Sequence, residues 1–380
     1  MTRQLSHILN SEARMAELDH QLSVRTAPEA VALLFDALDD PYPPIRRYAG
    51  EALSTRLSEA VLRALHHLVQ GEAVPQALAE SLAPHIPEPS SAVRSATCVA
   101  LQGSTAPETA AVLFEAARAD DADLRYHALV ALNALDFTDE HALVTLVGER
   151  LKDADMEIVV IAAQIAAARG WGELLEALEA ARGRVGAELR FTLSLALAEL
   201  IAHTPGGRER VDKSLVDELI AEFIGALEDE RTLDAATRAL AFMGATQAID
   251  ALVKVLDRWF SHPILRVGAA AALVELGNAR GKAYLADALT SRRKDARGYA
   301  MRLVAHLRLE EHLPYLIEVA LSDDYHADTA VLALLDFGSE QALATVAEIA
   351  QNHPHDDVRE LAQLRLAARG SHESVKNPCD

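Results

Sequence analysis

Leu265-Arg266-Val267-Gly268-Ala269-Ala270-Ala271-Ala272-Leu273, residues 265–273, carries the pattern apolar-Arg-x-x-Ala-x-x-Ala-Leu, and that pattern decides how the rest of the chain is read. Its apolar residues recur three and four apart, the spacing that lines one face of an α-helix. Upstream, His262-Pro263 breaks the chain, and before it Ala248, Leu252, Val255 and Leu256 mark another apolar stripe that starts after Gly244. Downstream, the stripe of the quoted stretch runs on to Leu276 and closes at Gly277. Glycine adopts the left-handed backbone just past a helix end without steric cost, so these stops delimit two helices. Neither helix can bury its stripe alone. A neighbouring pair must supply the rest of the core.

The pattern returns at Ile45-Arg46, Val93-Arg94, Leu124-Arg125, Leu189-Arg190 and Val358-Arg359, with degenerate copies near Ile158, Thr232, Ala296 and His326. Most steps between copies lie in the low thirties, with equivalent glycine stops at Gly103, Gly170, Gly338 and Gly370. A period of that length with two helical stretches in it means stacked helical pairs sharing one core. The expectation is an all-α, right-handed α-solenoid of about ten pairs over residues 28–370, with residues 1–27 as a capping helix and 371–380 as a flexible tail. Two intervals run long. Residues 54–92 hold an extra helix, placed at Glu59 to Val69, and a break at Pro84, Pro87 and Pro89, while residues 203–213 read as a surface loop.

Composition agrees with this and excludes several functions. Half of the 380 residues are hydrophobic and 4% aromatic, so the core is built of alanine and leucine, the best helix formers. No sustained period-two alternation marks a strand. The net charge of −21 is spread evenly: residues 1–190 hold 28 acidic and 16 basic residues, and 191–380 hold 29 and 20. Such a surface repels polyanions and forgoes counterion release, which argues against general nucleic-acid binding. Two cysteines, Cys98 and Cys379, form no disulfide framework. No run of eighteen apolar residues occurs, and residues 1–20 contain Glu12, Arg14, Glu17 and Asp19 in place of a secretory apolar stretch, so no membrane insertion and a cytoplasmic location are expected. Thirty arginines against six lysines, with the alanine richness, point to a GC-rich bacterial genome.

The combination of Leu-Gly-x-x-x-Ala, Leu-x-x-x-Leu, an Asp-containing turn and then Val/Leu-Arg-x-x-Ala-x-x-Ala-Leu resembles HEAT repeats, and most closely the short bacterial HEAT-like type that also builds phycobilisome bilin lyases. The resemblance spans roughly residues 28–370 and is specific for fold. It implies that the recurrent arginines (Arg46, Arg94, Arg125, Arg190, Arg266, Arg359) and the acids before them (among them Asp39-Asp40, Asp153-Asp155 and Asp323-Asp324) form a hydrogen-bonded ladder between repeats and cap the second helices. It also implies that second helices line the concave side. The metal hydroxylases of the superfamily use His-Glu pairs within their repeats, and here that pair occurs once, at His372-Glu373.

No chemistry-bearing motif emerges from the remainder. His66-His67, His353-Pro354-His355 and His306/His312 fall short of a metal-ligand set, and no nucleophile elbow or phosphate loop is present. No metal, cofactor or catalytic residue is therefore expected. Two surface features stand out. One is a basic island over residues 280–308, Arg280, Lys282, Arg292, Arg293, Lys294, Arg297, Arg302 and Arg308 against Asp287 and Asp295, whose turn Ser291-Arg292-Arg293-Lys294 replaces the acidic turn of other repeats. The other is a set of polar aromatics early on second helices: Tyr48, Tyr126 with His127, and Tyr299 with Arg302 and His306. Tyrosine and arginine are favoured anchors at protein interfaces. The expected function is a non-enzymatic protein-interaction scaffold or adaptor whose partner offers an acidic segment to Arg292, Arg293 and Lys294. The alternative, from the resemblance, is a bilin lyase or chaperone-lyase.

Overall fold

A helix whose single apolar face must meet another helix stacks, and the computed structural model, which describes residues 11–135, 139–258 and 261–376, consists of such stacks. Among the described residues there are twenty-two α-helices, three short 3₁₀ turns and no strand. The chain divides into two compact units, Met1–Gly207 and Arg208–Asp380, so the boundary falls inside the loop expected at 203–213.

In the first unit, α1 (Ser11–Val24) precedes five helical pairs. These are α2 (Ala27–Ala37) with α3 (Pro43–Ser54); α4 (Glu59–Gln70), followed by the short α5 (Gln76–Leu82), with α6 (Ser91–Leu101); α7 (Pro107–Ala116) with α8 (Ala122–Ala134); α9 (Glu140–Arg150) with α10 (Met156–Arg169); and α11 (Leu175–Arg184) with α12 (Ala187–His203). In the second unit the pairs are α13 (Lys213–Ala226) with α14 (Glu230–Phe242), α15 (Ile249–Asp257) with α16 (Pro263–Glu275), α17 (Ala279–Leu289) with α18 (Lys294–His306), α19 (Leu313–Leu321) with α20 (Ala327–Phe337), and α21 (Glu340–Asn352) with α22 (Asp356–Lys376). Second helices pack on second helices: α3, α6, α8, α10 and α12 form one row, and α14, α16, α18, α20 and α22 another. The ten pairs match the repeat count read from the arginine pattern.

Two boundaries differ from the expectation. Glu59–Gln70 is the regular first helix of its pair, and the extra helix is Gln76–Leu82, held between Pro75 and the Pro84 break. The stop expected at Gly370 does not end α22, whose backbone continues to Lys376; the remainder of the expected tail, 377–380, and residues 1–10 of the expected cap lie outside the described residues. Gly103 is needed for close approach: a Cβ there would stand 2.3 Å from the Ser54 carbonyl oxygen.

Each second helix carries its arginine at the fourth helical position, in seven of ten repeats: Arg46, Arg94, Arg125, Arg190, Arg266, Arg297 and Arg359. Six of them reach back to the carbonyl end of the first helix in their own pair or to the turn just after it. Arg46 Nη1 donates to the Asp40 carbonyl (2.8 Å), Arg94 Nε to Val69 (3.0 Å), Arg125 Nη1 to Ala119 and Asp120 (3.0 and 2.7 Å), Arg266 Nε to Leu256 (2.8 Å), Arg297 Nε to Leu289 (3.1 Å), and Arg359 to His353 and Pro354. A cation there satisfies carbonyls that have no partner within the helix and complements the negative end of the helix dipole.

The three repeats without the arginine have Val159, Leu233 and Ala330 at that position, and there the next repeat supplies the donor. Arg184 donates to the Leu151 carbonyl, Arg258 to Leu227 (2.8 Å) and His353 Nε2 contacts Ser322 (3.3 Å). Each acceptor is the residue just after the last turn of α9, α13 or α19.

Two arginines also bind the next repeat. Arg125 makes a two-pronged ion pair with Asp153 (3.0 and 2.8 Å), and Arg297 makes the same pair with Asp324 (3.2 and 2.9 Å). Arg14 of α1 forms a third rung with Asp40 at 2.7 Å, both side chains buried. In all three the aspartate also accepts the backbone N–H two residues on, from Tyr42, Asp155 or His326, so one carboxylate shapes the turn and joins two repeats. Burial alone would raise the Asp153 carboxyl, but the Arg125 hydrogen bond, the Asp155 N–H and the charges of Arg125 and Arg150 together hold it below the ordinary carboxylate range.

Past the second helices, Gly170, Gly244, Gly277 and Gly338 have φ of +67, +53, +77 and +68°. The equivalent position after α18 is Arg308, at φ +48°, where a Cβ costs energy. Arg308→Gly should therefore raise the denaturation midpoint, by about 0.5–1 kcal/mol; an unchanged or lower midpoint would show the backbone is not strained there. Arg125→Ala removes a buried charged hydrogen bond and should cost about 1–3 kcal/mol. Because Asp153 is depressed in the folded state, its contribution is complete above the ordinary carboxylate range and lost as pH falls through the lowered value. The Arg125→Ala penalty should accordingly shrink in acid, and a penalty independent of pH down to about 2 would contradict the rung.

Candidate interaction surface

The first turns of three stacked second helices in the second unit frame an open groove of about 800 Å³. Ile264 of α16 forms one side, Lys294, Asp295, Gly298, Tyr299 and Arg302 of α18 the middle, and Tyr325, His326, Asp328 and Thr329 of the α20 start the other. Three of the residues singled out in the sequence, Lys294, Tyr299 and Arg302, thus share one site.

Its chemistry is aromatic and cationic over a polar floor. Lys294 Nζ stands 3.6 Å from the centre of the Tyr325 ring, which is 70% exposed and meets His326 edge-on at 5.0 Å. A lysine so placed keeps a large aromatic surface oriented in water. His326 is buried, its Nε2 without a hydrogen-bond partner, and Gly298 gives its ring room: an added Cβ would lie 3.2 Å from the imidazole. Burial pushes the His326 imidazole below its usual value and the charges of Arg297 and Lys294 add to this, against Asp324 and Asp328. Tyr299 is half-buried, and burial followed by the charge of Asp234 raises its hydroxyl.

The basic island is smaller than its sequence count of +6, because neighbouring repeats bring acids to it. Arg280 pairs with Asp257 (2.6 Å), Lys282 with Glu311 (3.3 Å) and Arg297 with Asp324. Arg292, Arg293, Lys294 and Arg302 remain exposed. His306 lies exposed at the last turn of α18, away from the groove residues and near Glu275, whose carboxyl is raised by burial.

The other expected residues lie in the first unit. The Tyr48 hydroxyl donates to Asp19 of α1, which raises it to about 12 and fastens the end helix to the first pair. Tyr126 and His127 pack edge-on at 5.3 Å, and His127 Nδ1 contacts the Asp123 carbonyl (2.8 Å). His127 also lines a smaller groove of about 380 Å³ with Arg46, Arg47, Ser95 and Asp123. Tyr325 and His326 were missed in the sequence. A tyrosine beside the expected Asp323-Asp324 turn was the available signal. No group of three or more His, Cys, Asp or Glu among the described residues is arranged to hold a metal, and no helix among them is long and apolar enough to cross a membrane.

No protein-family model matches the chain, and no curated protein sequence matches it. Solved structures similar to it are helical-repeat proteins. A homology model of the full-length AP-3 complex aligns at 13% identity and TM-score 0.47 over 95% of this chain and 73% of that one. The karyopherin Kap121p bound to the extreme C-terminus of the protein phosphatase Cdc14p aligns at 12% and 0.44, over 95% and 48%. The Cnd3–Cnd2 condensin subcomplex of S. pombe aligns at 12% and 0.31, over 90% and 65%. This chain therefore spans less than half of the karyopherin's length, and its fold rests on the helices and stacking described above.

The groove geometry has a direct check. Lys294→Gln removes one of the charges that hold the His326 imidazole down, so its titration midpoint should move up by NMR. A midpoint unchanged in the variant would separate Lys294 from the groove floor.

Proposed function

We propose that the protein is a non-enzymatic interaction scaffold that binds a polypeptide partner along the second-helix face of its second unit. One observation carries this reading: Lys294, Tyr299, Arg302 and the 70%-exposed Tyr325 converge on a single groove that stacked, cross-braced helices hold in place. Interfaces draw their energy from a few aromatic and arginine anchors set on a rigid support, and this groove offers both. The exposed Arg292, Arg293 and Lys294 beside it favour a partner with an acidic segment, since the acidic remainder of the surface repels one. The excess of arginine over lysine, with the alanine richness, supports a bacterial source for such a scaffold.

The test compares the wild-type chain with variants against partners recovered by pull-down. Converting Arg292, Arg293 and Lys294 to glutamate should weaken capture and flatten its salt dependence with helicity unchanged. Tyr299→Ala should weaken binding about tenfold, and that loss should persist at high salt because packing is what it removes. If both variants capture the same partners as wild type with the same affinity, the groove is not the binding surface.

A further inference from the structure

The rung aspartate is absent from several turns, with Ala119 at its position before α8 and Leu227 before α14, and in the α17–α18 turn a serine keeps the turn without the charge. Asp40, Asp153 and Asp324 each stand two residues before the first helical residue's cap, accept the N–H two residues on and bind the arginine of the repeat before. In the α17–α18 turn the same position is Ser291, whose Oγ accepts the Arg293 N–H at 3.2 Å. The turn is kept and the charge is gone. The arginine that should meet it is Arg266, which donates Nε to the Leu256 carbonyl as its counterparts do and lies 5.1 Å over the Tyr284 ring. Arg266 makes no ion pair of its own among the described residues, although Asp257, which pairs with Arg280, is near enough to be held down by its charge as well. Arg125 and Arg297, in the same position, spend their forks on Asp153 and Asp324.

A cavity of about 680 Å³ occupies this place, lined by Arg266, Ser291, Arg293, His262 and Tyr284. We infer that it is a carboxylate-binding site, in which an external carboxylate completes the rung by a two-pronged bond to Arg266, with Arg293 and the Ser291 hydroxyl beside it. Planar guanidinium and carboxylate match geometrically, and such paired charge-assisted bonds are the stronger kind. Glu230 and Asp287 also line the cavity, so general positive charge does not explain binding; the acid must reach the Arg266 fork. An acidic side chain or chain end of a polypeptide would supply it, a source that rests on the scaffold reading, or a free small dicarboxylate would.

The decisive variant is Ser291→Asp, which writes the missing rung into the chain. Its melting temperature should rise, as it would create the Arg125–Asp153 arrangement at Arg266. Binding of fluorescein-labelled hexaglutamate and of succinate should be measured on the full chain at low ionic strength. Whichever probe binds wild type should bind Ser291→Asp at least about tenfold more weakly, whereas Thr290→Asp, which adds equal charge beside the rung, should lose less than about threefold. Binding by hexaglutamate identifies a polypeptide source; binding by succinate alone leaves the site standing while removing its support for the scaffold. The inference is overturned if neither probe binds wild type, if the two aspartate variants lose affinity equally, or if Ser291→Asp fails to raise the melting temperature.

Discussion

A long side-chain donor at the carbonyl end of a repeat's first helix, an arginine in most repeats, is the interaction on which much of this structure depends. A helix of about ten residues leaves four carbonyls without internal partners, and a solenoid of short helices multiplies that problem by the number of repeats. Here a long side chain from the following helix satisfies them, and because it comes from a stacked neighbour it also fixes the angle of the turn. Where Arg125 and Arg297 extend to Asp153 and Asp324, the same group ties one repeat to the next. Arg14 brings the end helix α1 into the series by the same bond.

The constraint concerns the donor and not its place in the sequence. Val159, Leu233 and Ala330 break the arginine pattern, yet Arg184, Arg258 and His353 arrive from the next repeat at the same carbonyls. That substitution was not legible in the chain, because a residue about thirty positions downstream reveals its role only when the stacking is known. The period and the helical pairs were legible, since they follow from apolar spacing. The expected ladder was legible only in part: of its arginines, Arg125 pairs with an acid of the next repeat, while Arg46, Arg94, Arg266 and Arg359 reach carbonyls of their own pair. Glu59–Gln70 was misjudged as the extra helix because apolar periodicity alone does not distinguish a regular member of a pair from an insertion.

The surface was half legible for a related reason. Tyr299 and Arg302, three apart on one helix, were grouped from their spacing, whereas Lys294 was read as part of the basic turn and joins them only in the groove. Tyr48 carries the same signature, yet its hydroxyl is used by Asp19. The +6 count of the basic island failed because Asp257, Glu311 and Asp324 come from adjacent repeats. A side chain's own position shows what it can bind, and the neighbouring repeat determines what it does bind. Ser291 is the converse case: the turn survives and the partner acid is missing, which turns a structural arginine toward solvent chemistry.

The most direct test of this account is a double-mutant cycle on Arg125→Ala and Asp153→Asn, followed by urea denaturation of the two singles and the pair. If the rung joins repeats as described, the two changes are strongly coupled, by about 1–3 kcal/mol, and the double variant is little worse than either single. Additive losses, with coupling near zero, would contradict the claim that the arginine ladder holds the repeats together.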